Sequence, residues 1–379
     1  MKENRKELIG KLERLSNAFG PSGFEEEVVQ AAASMADGFV LENDSMNNLY
    51  MTESGEIRHE KPVFMLDAHL DECGFMVQEV LNDGLMPFVM LGGMDMSSVV
   101  GQSVIVRSAS GKKVRGIITS RPVHLMTAKE RADTDLPIEK FYIDVGCTSR
   151  QEVKELYGIR AGDPVVPDVV FSYREENDMC FGKAFDNRVG CLCILETMRR
   201  LKEEGIDTLP VEPVGAFASQ EEVGERGAMV TSVKVKPDFA VVFEGTPADD
   251  YYFRGESALI QGGLRKGVQI RHFDRSTISN PRFIQYAADI AEEKGIRYQC
   301  AVRRGGGTNA GIITTKTKDV PTLVLGVPCR YVHTSNNFMA AEDIDAAVDL
   351  AVEVIRNLTK DKQDYITNRN LLKSASEQQ

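Results

Sequence analysis

Residues 62–72 read PVFMLDAHLDE, and this stretch decides how the fold is interpreted. Its first half, 62–66, is a nearly unbroken apolar run, which is typical of a strand buried on both faces of a sheet. The run ends in Asp67-Ala68-His69, and Asp71 follows two residues later. Because ligands of open α/β sheets bind at the carboxyl ends of the strands, a histidine and a carboxylate at this point are candidates for a functional site.

Apolar strands and amphipathic helices alternate outward from this stretch. Such alternation predicts a mostly parallel sheet with helices on both faces. We therefore predict an α/β fold, a three-layer α/β/α domain with a mixed sheet, formed by residues 1–72 and 172–379. Ser22 and Glu25 form a predicted capping box for its second helix. The predicted strands are 62–66, 211–218, 239–243 and 323–327, and the predicted helices are 4–19, 22–35, 280–294 and 341–357.

Residues 73–171 have a different texture. Short β-rich stretches such as 88–91, 103–106 and 141–143 are separated by glycine-containing turns, and no long helical pattern interrupts them before 151–157. Evenly spaced short strands predict a small β-barrel or sandwich. We therefore expect 73–171 to be a β-barrel domain inserted into the α/β domain, with a role in dimerisation or as a lid.

The composition excludes several classes of protein. The chain has 45 Lys and Arg against 57 Asp and Glu, a net charge of −12, which argues against a nucleic-acid partner because phosphate would be repelled. No stretch reaches the roughly 18–20 apolar residues of a membrane helix, and no signal peptide is visible. None of the seven cysteines forms a C-x-x-C pair, so we expect buried, reduced thiols and a cytoplasmic location without membrane partners.

Four turns that carry acids or histidine are the strongest functional signal. Most of them follow a predicted strand, so the sheet is expected to bring them together. Histidine and carboxylate are ligands that Zn, Co and Mn accept. Four such turns in one chain, with a spare carboxylate, predict a two-metal hydrolase. The turns are 68–72, 184–188, 219–224 and 331–335.

The positions of these residues favour particular roles. His69 offers a ring nitrogen to a metal, and Asp71 orients the ring. Asp186 is the candidate bridge between two ions about 3.5–4 Å apart, although Asp at a helix start is also a common N-cap. Glu221 and Glu222 are adjacent and point apart, so we assign Glu222 to a metal and Glu221 to the base that takes a proton from water.

Two further residues complete the predicted ligand set. Glu244 directly follows an apolar run, and His333 follows 323–327 after a short loop. Asp249 and Asp250 are alternatives to Glu244, which we prefer because it stands at the predicted strand end.

The segment 304–310, RGGGTNA, is rich in glycine but lacks the Gly-Lys-Ser/Thr ending of a phosphate loop. Its glycines allow close backbone approach, which favours a peptide substrate over a nucleotide. We therefore expect Gly307, Thr308 and Asn309 to contact substrate.

Taken in this order, these residues resemble the glutamyl and tetrahedral aminopeptidases, a family of metallopeptidases with two co-catalytic zinc or cobalt ions. Some members are labelled cellulase or endoglucanase. The resemblance runs from PSGFE at 21–25 to HTS at 333–335. It also implies a homo-oligomer built from dimers, often a dodecamer. The implied roles are one metal on His69, Asp186 and Glu244, a second on Asp186, Glu222 and His333, Glu221 as general base and Asp71 as support.

The implied reaction removes the N-terminal residue from short peptides, with water activated by two divalent ions per subunit, zinc or cobalt or manganese. Two residues depart from the family pattern. Glu244 stands where Asp is usual, and Asn309 stands where the family reads Asp in Gly-Gly-Thr-Asp-Ala. A related amidohydrolase, such as a carboxypeptidase or deacylase, is an alternative because fold does not fix substrate. The two departures motivate another alternative, a catalytically silent, self-assembling homologue.

Overall fold

The structure is a computed structural model that describes residues 2–132, 136–252 and 260–368. Within these ranges no helix is long and apolar enough to cross a membrane. The helices are α1 Lys2–Asn17, α2 Glu26–Ala33, α3 Ala128–Ala132, α4 Arg150–Tyr157, α5 Phe185–Glu203, α6 Arg226–Val235, α7 Pro281–Lys294, α8 Ala310–Ile313, α9 Ala341–Arg356 and α10 Lys360–Thr367. The strands are β1 Val40–Asn43, β2 Leu49–Thr52, β3 Val63–His69, β4 Gly74–Val77, β5 Phe88–Leu91, β6 Ser103–Arg107, β7 Lys113–Ile118, β8 Ile143–Asp144, β9 Pro164–Pro167, β10 Ser172–Arg174, β11 Met179–Gly182, β12 Glu212–Ala218, β13 Phe239–Pro247, β14 Val268–Phe273, β15 Tyr298–Val302, β16 Thr322–Arg330 and β17 Asn337–Ala340.

The large sheet has the strand order β1-β2-β12-β3-β13-β16-β17-β11-β10, and β14 and β15 branch from β16. Its centre, from β12 through β3 and β13 to β16, is parallel, whereas its flanks pair antiparallel. Side chains of α1, α5, α7 and α9 fill the core on one face, and those of α6 and α8 help to fill the core on the other. The predicted three-layer arrangement with a mixed sheet is confirmed.

Strand β3 shows why the opening stretch is apolar. All seven of its residues are buried. Phe64 and Leu66 pack into the core that contains α5, whereas Val63 and Met65 pack into the opposite core. Because successive side chains point to opposite faces and both faces are covered, this strand has no polar alternation.

The parallel strands bring the candidate residues to one edge of the sheet. β3 ends at His69, and the glutamate turn follows the end of β12. β13 continues to Pro247, so Glu244 lies within a strand, and the expected strand end at this residue is wrong. The pairing of β13 with β3 stops at Val242, opposite Asp67. Residues of β13 beyond this point pass the end of β3 and face the same opening.

The second sheet has the order β5-β4-β9-β6-β7-β8, and its pairs are antiparallel. Met86, just before β5, and Ile143 of β8 exchange backbone hydrogen bonds of 3.0 and 2.8 Å. This contact brings the two edges of the sheet together, so the strands curl into a small barrel around a separate apolar core. The barrel lies in the chain between β3 and β10, as the short strands predict.

The predicted capping box is wrong. Helix α2 begins at Glu26, and its N-cap residue Glu25 makes no side-chain capping bond. Ser22 instead donates its hydroxyl hydrogen to Oδ2 of Asp71 at 2.6 Å. A hydrogen bond from a hydroxyl to a carboxylate is stronger than one from a backbone N–H to a hydroxyl oxygen. Ser22 therefore belongs to the surroundings of the candidate site.

Candidate active site

A cavity of about 1200 Å³ opens at the edge where the central parallel strands end. Its wall includes the end of β3, the start of α5, the turn after β12, the middle of β13 and the loop after β16. Each segment brings at least one of the residues that the sequence singles out. These residues are His69, Asp186, Glu221, Glu222, Glu244 and His333.

Asp71 fixes the orientation of His69. Nδ1 of His69 lies 3.1 Å from the backbone oxygen of Asp71 and 3.4 Å from its Oδ1, so Nδ1 carries the proton and Nε2 faces the cavity as a possible ligand. The same carboxylate accepts the backbone N–H groups of Glu221 at 2.9 Å and Glu222 at 3.1 Å. Burial opposes the charge of Asp71, but His69 and these hydrogen bonds hold its pKa below the usual value.

Asp186 presents one carboxylate oxygen to each histidine. Oδ1 lies 3.1 Å from Nε2 of His69, and Oδ2 lies 3.3 Å from Nε2 of His333. The structure does not support the alternative role as a helix cap: regular helix begins only after Asp186 and Asn187, and the side-chain oxygen of Asn187, not that of Asp186, accepts the backbone N–H of Gly190 at 3.0 Å. A carboxylate whose two oxygens diverge in this way is suited to bridge two ions.

Gly245 allows β13 to pass close to Asp186. A Cβ atom at this position would lie 2.6 Å from the Asp186 nitrogen and 2.5 Å from the Phe185 oxygen. The amide of Asn187 donates to the backbone oxygen of Phe243 at 2.7 Å and secures the same approach. The start of α5 is therefore locked against β13.

The two glutamates after β12 diverge, as the sequence predicts. Oε2 of Glu221 lies 3.9 Å from Nε2 of His69, whereas Oε1 of Glu222 lies 3.7 Å from Nε2 of His333. Burial raises the pKa of Glu221 to about 8, and neighbouring carboxylates act in the same direction while His69 opposes them. A carboxylate with a high proton affinity is suited to accept a proton from water.

Glu244 adds a carboxylate on the side of His69. Its Oε2 lies 3.9 Å from Nε2 of His69, and its Oε1 is buried with no hydrogen-bond partner among the described residues. The two alternative acids are engaged elsewhere. Asp249 accepts two backbone N–H groups at 2.9 and 3.0 Å, and Asp250 pairs with Arg330 at 2.9 Å. Of these three acids, Glu244 is the one placed to bind a cation.

The barrel supplies the group that orients His333. Nδ1 of His333 lies 2.7 Å from the backbone oxygen of Gly93, in the segment that follows β5. The ring therefore donates from Nδ1 and turns Nε2 towards Asp186 and Glu222. The orientation of His333 therefore depends on a contact with the inserted barrel.

The residues present fit divalent metal ions. Four carboxylates and two imidazoles converge, and a buried acid oxygen without a partner is costly unless a cation accompanies it. In each of three groups the potential ligand atoms lie within 4.8 Å of one another. Oxygen and nitrogen donors in this number suit Zn, Co or Mn. The groups are His69–Asp186–Glu244, His69–Glu221–Glu222 and Cys73–Glu222–His333.

The predicted substrate segment is only partly in the cavity wall. Gly307 lines the cavity, whereas Thr308 and Asn309 are buried behind it. The backbone N–H of Thr308 donates to Ser276 at 3.1 Å. The side-chain amide of Asn309 donates to Asp67 at 2.8 Å. The structure therefore places Asn309 in the support of β3 rather than in the wall of the cavity.

The arginines that form a basic wall of the cavity are not predicted from the sequence. Arg271, Arg303 and Arg304 line the cavity. Arg271 pairs with Asp274 at 3.0 Å, and Arg303 donates to the backbone oxygen of Pro247. The Nε atoms of Arg271 and Arg303 are buried without a hydrogen-bond partner among the described residues. The sequence of β14, VQIRHF, mixes apolar and polar residues, and nothing in it marks Arg271 as part of this wall.

Comparison with known proteins agrees with this geometry. The chain is 30% identical to a glutamyl aminopeptidase of Lactococcus lactis over 364 residues, which covers 96% of this chain and 99% of the relative. Among solved structures, a TET aminopeptidase from a marine sediment Thaumarchaeota archaeon has 32% identity and a TM-score of 0.87 over 96% of this chain and 99% of that chain. Pyrococcus horikoshii TET1 peptidase, which can assemble into a tetrahedron or a large octahedral shell, has 27% identity and a TM-score of 0.79, with coverages of 93% and 100%.

The family model of the M42 glutamyl aminopeptidases matches residues 47–350, which include every predicted metal and base residue. The resemblance noted in the sequence is thereby confirmed. With this match, near-complete coverage by relatives and a shared architecture, the chain belongs to the M42 glutamyl aminopeptidase family and is a peptide-bond hydrolase of the aminopeptidase class.

Proposed function

We propose that this chain is an aminopeptidase that uses two divalent metal ions per subunit. Asp186 would be shared between the two sites. His69 and Glu244 would complete the first, and Glu222 and His333 would complete the second. The observation that carries this proposal is the geometry of Asp186, whose two oxygens lie 3.1 and 3.3 Å from the two imidazole nitrogens.

Zinc, cobalt or manganese bound here would polarise the scissile carbonyl and lower the pKa of a water molecule. Glu221 would accept the proton of the attacking water at Oε2 and pass it to the leaving amine. Asp71 would keep Nδ1 of His69 protonated and hold the glutamate turn through two backbone amides. These roles require Glu221 to be ionised before the reaction, and bound cations favour that state.

The charge distribution of the cavity favours a free amino terminus as the substrate group near the metal residues. The part of the cavity wall that carries the carboxylates attracts the α-ammonium group of a peptide substrate. An acetylated N-terminus carries no charge and is not attracted in this way. At the basic wall, Arg271 and Arg303 each present a buried Nε–H group without a partner among the described residues. We infer that this wall receives a carboxylate, so peptides with an acidic N-terminal residue are preferred. A glutamyl aminopeptidase among the relatives supports this choice.

The test is a panel of free and N-acetylated peptides assayed after chelation and reloading with zinc, cobalt or manganese. Hydrolysis of free termini alone, lost on chelation and restored by metal, is the expected result. Cleavage of acetylated peptides would instead support the carboxypeptidase or deacylase alternatives. Comparison of glutamyl, leucyl and lysyl substrates tests the acidic preference separately.

We also infer a cytoplasmic homo-oligomer. All seven cysteines are free thiols, which is typical of a reducing compartment. The assembly inference comes from solved relatives such as the TET1 peptidase, and the inserted barrel at 73–171 is the proposed dimerisation or lid domain. A monomeric mass by light scattering would contradict it.

A further inference from the structure

Cys73 lies beside the second cluster of the cavity. It follows the His-Leu-Asp-Glu turn directly, just before β4. Its sulfur and one ligand atom each of Glu222 and His333 lie within 4.8 Å of one another. Ligand atoms that lie about 2.0–2.3 Å from a tetrahedral zinc ion are about 3.3–3.8 Å from one another, about 1 Å closer than this limit. Small side-chain adjustments therefore suffice for these three atoms to share one ion.

A small cavity of about 20 Å³ lies between these side chains. Cys73, Asp186, Glu222 and His333 all line it. This volume is enough for a single water-sized species and too small for a substrate group. Lys183 also lines this space, with its ammonium group paired to Glu72 at 2.5 Å. The sulfur, the carboxylates of Asp186 and Glu222 and the imidazole thus border a space of the size that one cation occupies.

The loop after β5 is shaped around Cys73. Gly92 has φ +93°, and a Cβ atom at this position would lie 2.7 Å from Sγ of Cys73 and 3.1 Å from Oε2 of Glu222. A side chain here would displace both ligand candidates. The next residue, Gly93, holds His333 through its backbone oxygen. The same turn of the barrel thus leaves room for Cys73 and orients His333.

Cys73 differs from two other thiols near the site. Cys191 donates to the backbone oxygen of His69 at 3.2 Å, and Cys329 lies 3.4 Å from the backbone oxygen of Val327. The backbone acceptor of Cys73 is 3.9 Å away, which is a weak contact. Among the described residues, Cys73 is the one cysteine that belongs to a possible metal-binding group.

We propose that Cys73 is a thiolate ligand of the second metal site, together with Asp186, Glu222 and His333. Its proton passes to solvent when the ion binds, since the thiolate is the form that ligates metals. A sulfur ligand makes this site selective for thiophilic ions such as zinc, cobalt or cadmium over manganese or magnesium. The inference rests on the metal site of the proposed function.

The test is a cobalt(II) titration of the chelator-stripped full chain, followed by absorption spectroscopy and metal analysis. A thiolate ligand gives a sulfur-to-cobalt charge-transfer band in the near ultraviolet, in addition to the visible bands of bound cobalt. We expect this band in the unaltered protein and its loss in Cys73→Ser. Cys147→Ser is the matched control, because Cys147 is also a buried thiol of the barrel but belongs to none of the metal-binding groups.

Affinities give a second readout that does not depend on turnover. We expect Cys73→Ser to bind cadmium at least about tenfold more weakly at one of two sites, with manganese binding changed less than about twofold. Two bound cobalt ions without a charge-transfer band in the unaltered protein would overturn the role of Cys73 and leave the metal centre standing. A band that survives in Cys73→Ser would also overturn it. Failure to bind cobalt at all would overturn the metal centre itself.

Discussion

Replacing Glu72 by glutamine tests the buried ionic network beneath the candidate site. The Glu72 carboxylate lies 2.5 and 2.6 Å from Nζ of Lys183 and 3.1 Å from Nη2 of Arg188. All three side chains are buried. Arg188 also donates to the backbone oxygens of Leu15 at 2.6 Å and Leu70 at 2.7 Å. The network therefore ties α1 and the turn after β3 to α5.

Glutamine keeps the shape of Glu72 but removes its charge. Arg188 retains four backbone oxygens as acceptors, whereas Lys183 retains one contact of 3.4 Å with the Ala18 oxygen. Removing one partner of a buried ion pair costs about 3–5 kcal/mol, and we expect Glu72→Gln to lower the free energy of unfolding by that amount. The same change at Glu203, whose ion pair with Arg199 is largely exposed, should cost less than about 1 kcal/mol.

The pH dependence of this loss has a definite sign. Burial lowers the pKa of Lys183, against the attraction of Glu72, so the variant lowers it further. The unfolded chain keeps this proton up to a pH of about 10, and folding of the variant is therefore favoured as pH rises. The deficit should shrink between pH 7 and 9 in guanidinium unfolding followed by circular dichroism. A midpoint equal to that of Glu203→Gln at pH 7, or a deficit that grows with pH, would refute the reasoning.

Four further changes test the site. Glu221→Gln should lower kcat by about 10²- to 10⁴-fold with two metal ions per chain still bound, as kinetics and metal analysis can show. Gly245→Ala should cost about 1–3 kcal/mol of stability and weaken metal binding in calorimetry, because its Cβ would press on the backbone of Asp186, the proposed bridging ligand. Unchanged metal binding would contradict this. Arg303→Ala should lower kcat/KM for glutamyl substrates by about 10- to 100-fold and leave leucyl substrates within a few-fold. In Asn309→Asp the new carboxyl would lie about 2.8 Å from the Asp67 carboxyl, so the folded variant would keep a proton that the unfolded chain releases near pH 4. The free energy of unfolding of the variant, relative to the parent, should therefore fall by about 3 kcal/mol as pH rises to 8. A pH-independent difference in thermal unfolding would argue against that pairing.

The sequence predicts those features that depend on local pattern and on strand ends. The apolar run of β3 and the turn at His69 predict a buried strand that ends at a candidate site, and the structure has a fully buried β3 with His69 in the cavity wall. Glu244 lines the cavity with the other predicted ligands, but the reason for selecting it, a strand end at this residue, is wrong because β13 continues past it. The length of a strand depends on its neighbours, here on β16, which pairs with β13 to Pro247.

The site residues that the sequence analysis did not predict were overlooked for a different reason. Arg271 and Arg303 stand on elements whose sequences carry no motif, and they meet only because β14 and the segment after β15 border the same cavity. From the sequence, Cys73 is expected to be an ordinary buried thiol, and only the fold of the barrel brings Gly92 and Gly93 against it. Contacts between distant segments determine these parts of the site, and a pattern along the chain does not contain them.

The departure at Asn309 shows how such a contact changes the interpretation of a motif. The family pattern has Asp here, so the sequence alone indicates a lost negative charge near the substrate. In the folded chain the Asn309 amide donates to the Asp67 carboxylate at 2.8 Å, although 242 residues separate them, and both side chains are fully buried. The carboxylate that Asn309 contacts stands on β3, two residues before His69. Burial raises the pKa of Asp67 to about 7, and the hydrogen bond from Asn309 opposes that rise, so this departure is better explained as part of the support of β3 beneath His69 than as a mark of lost activity.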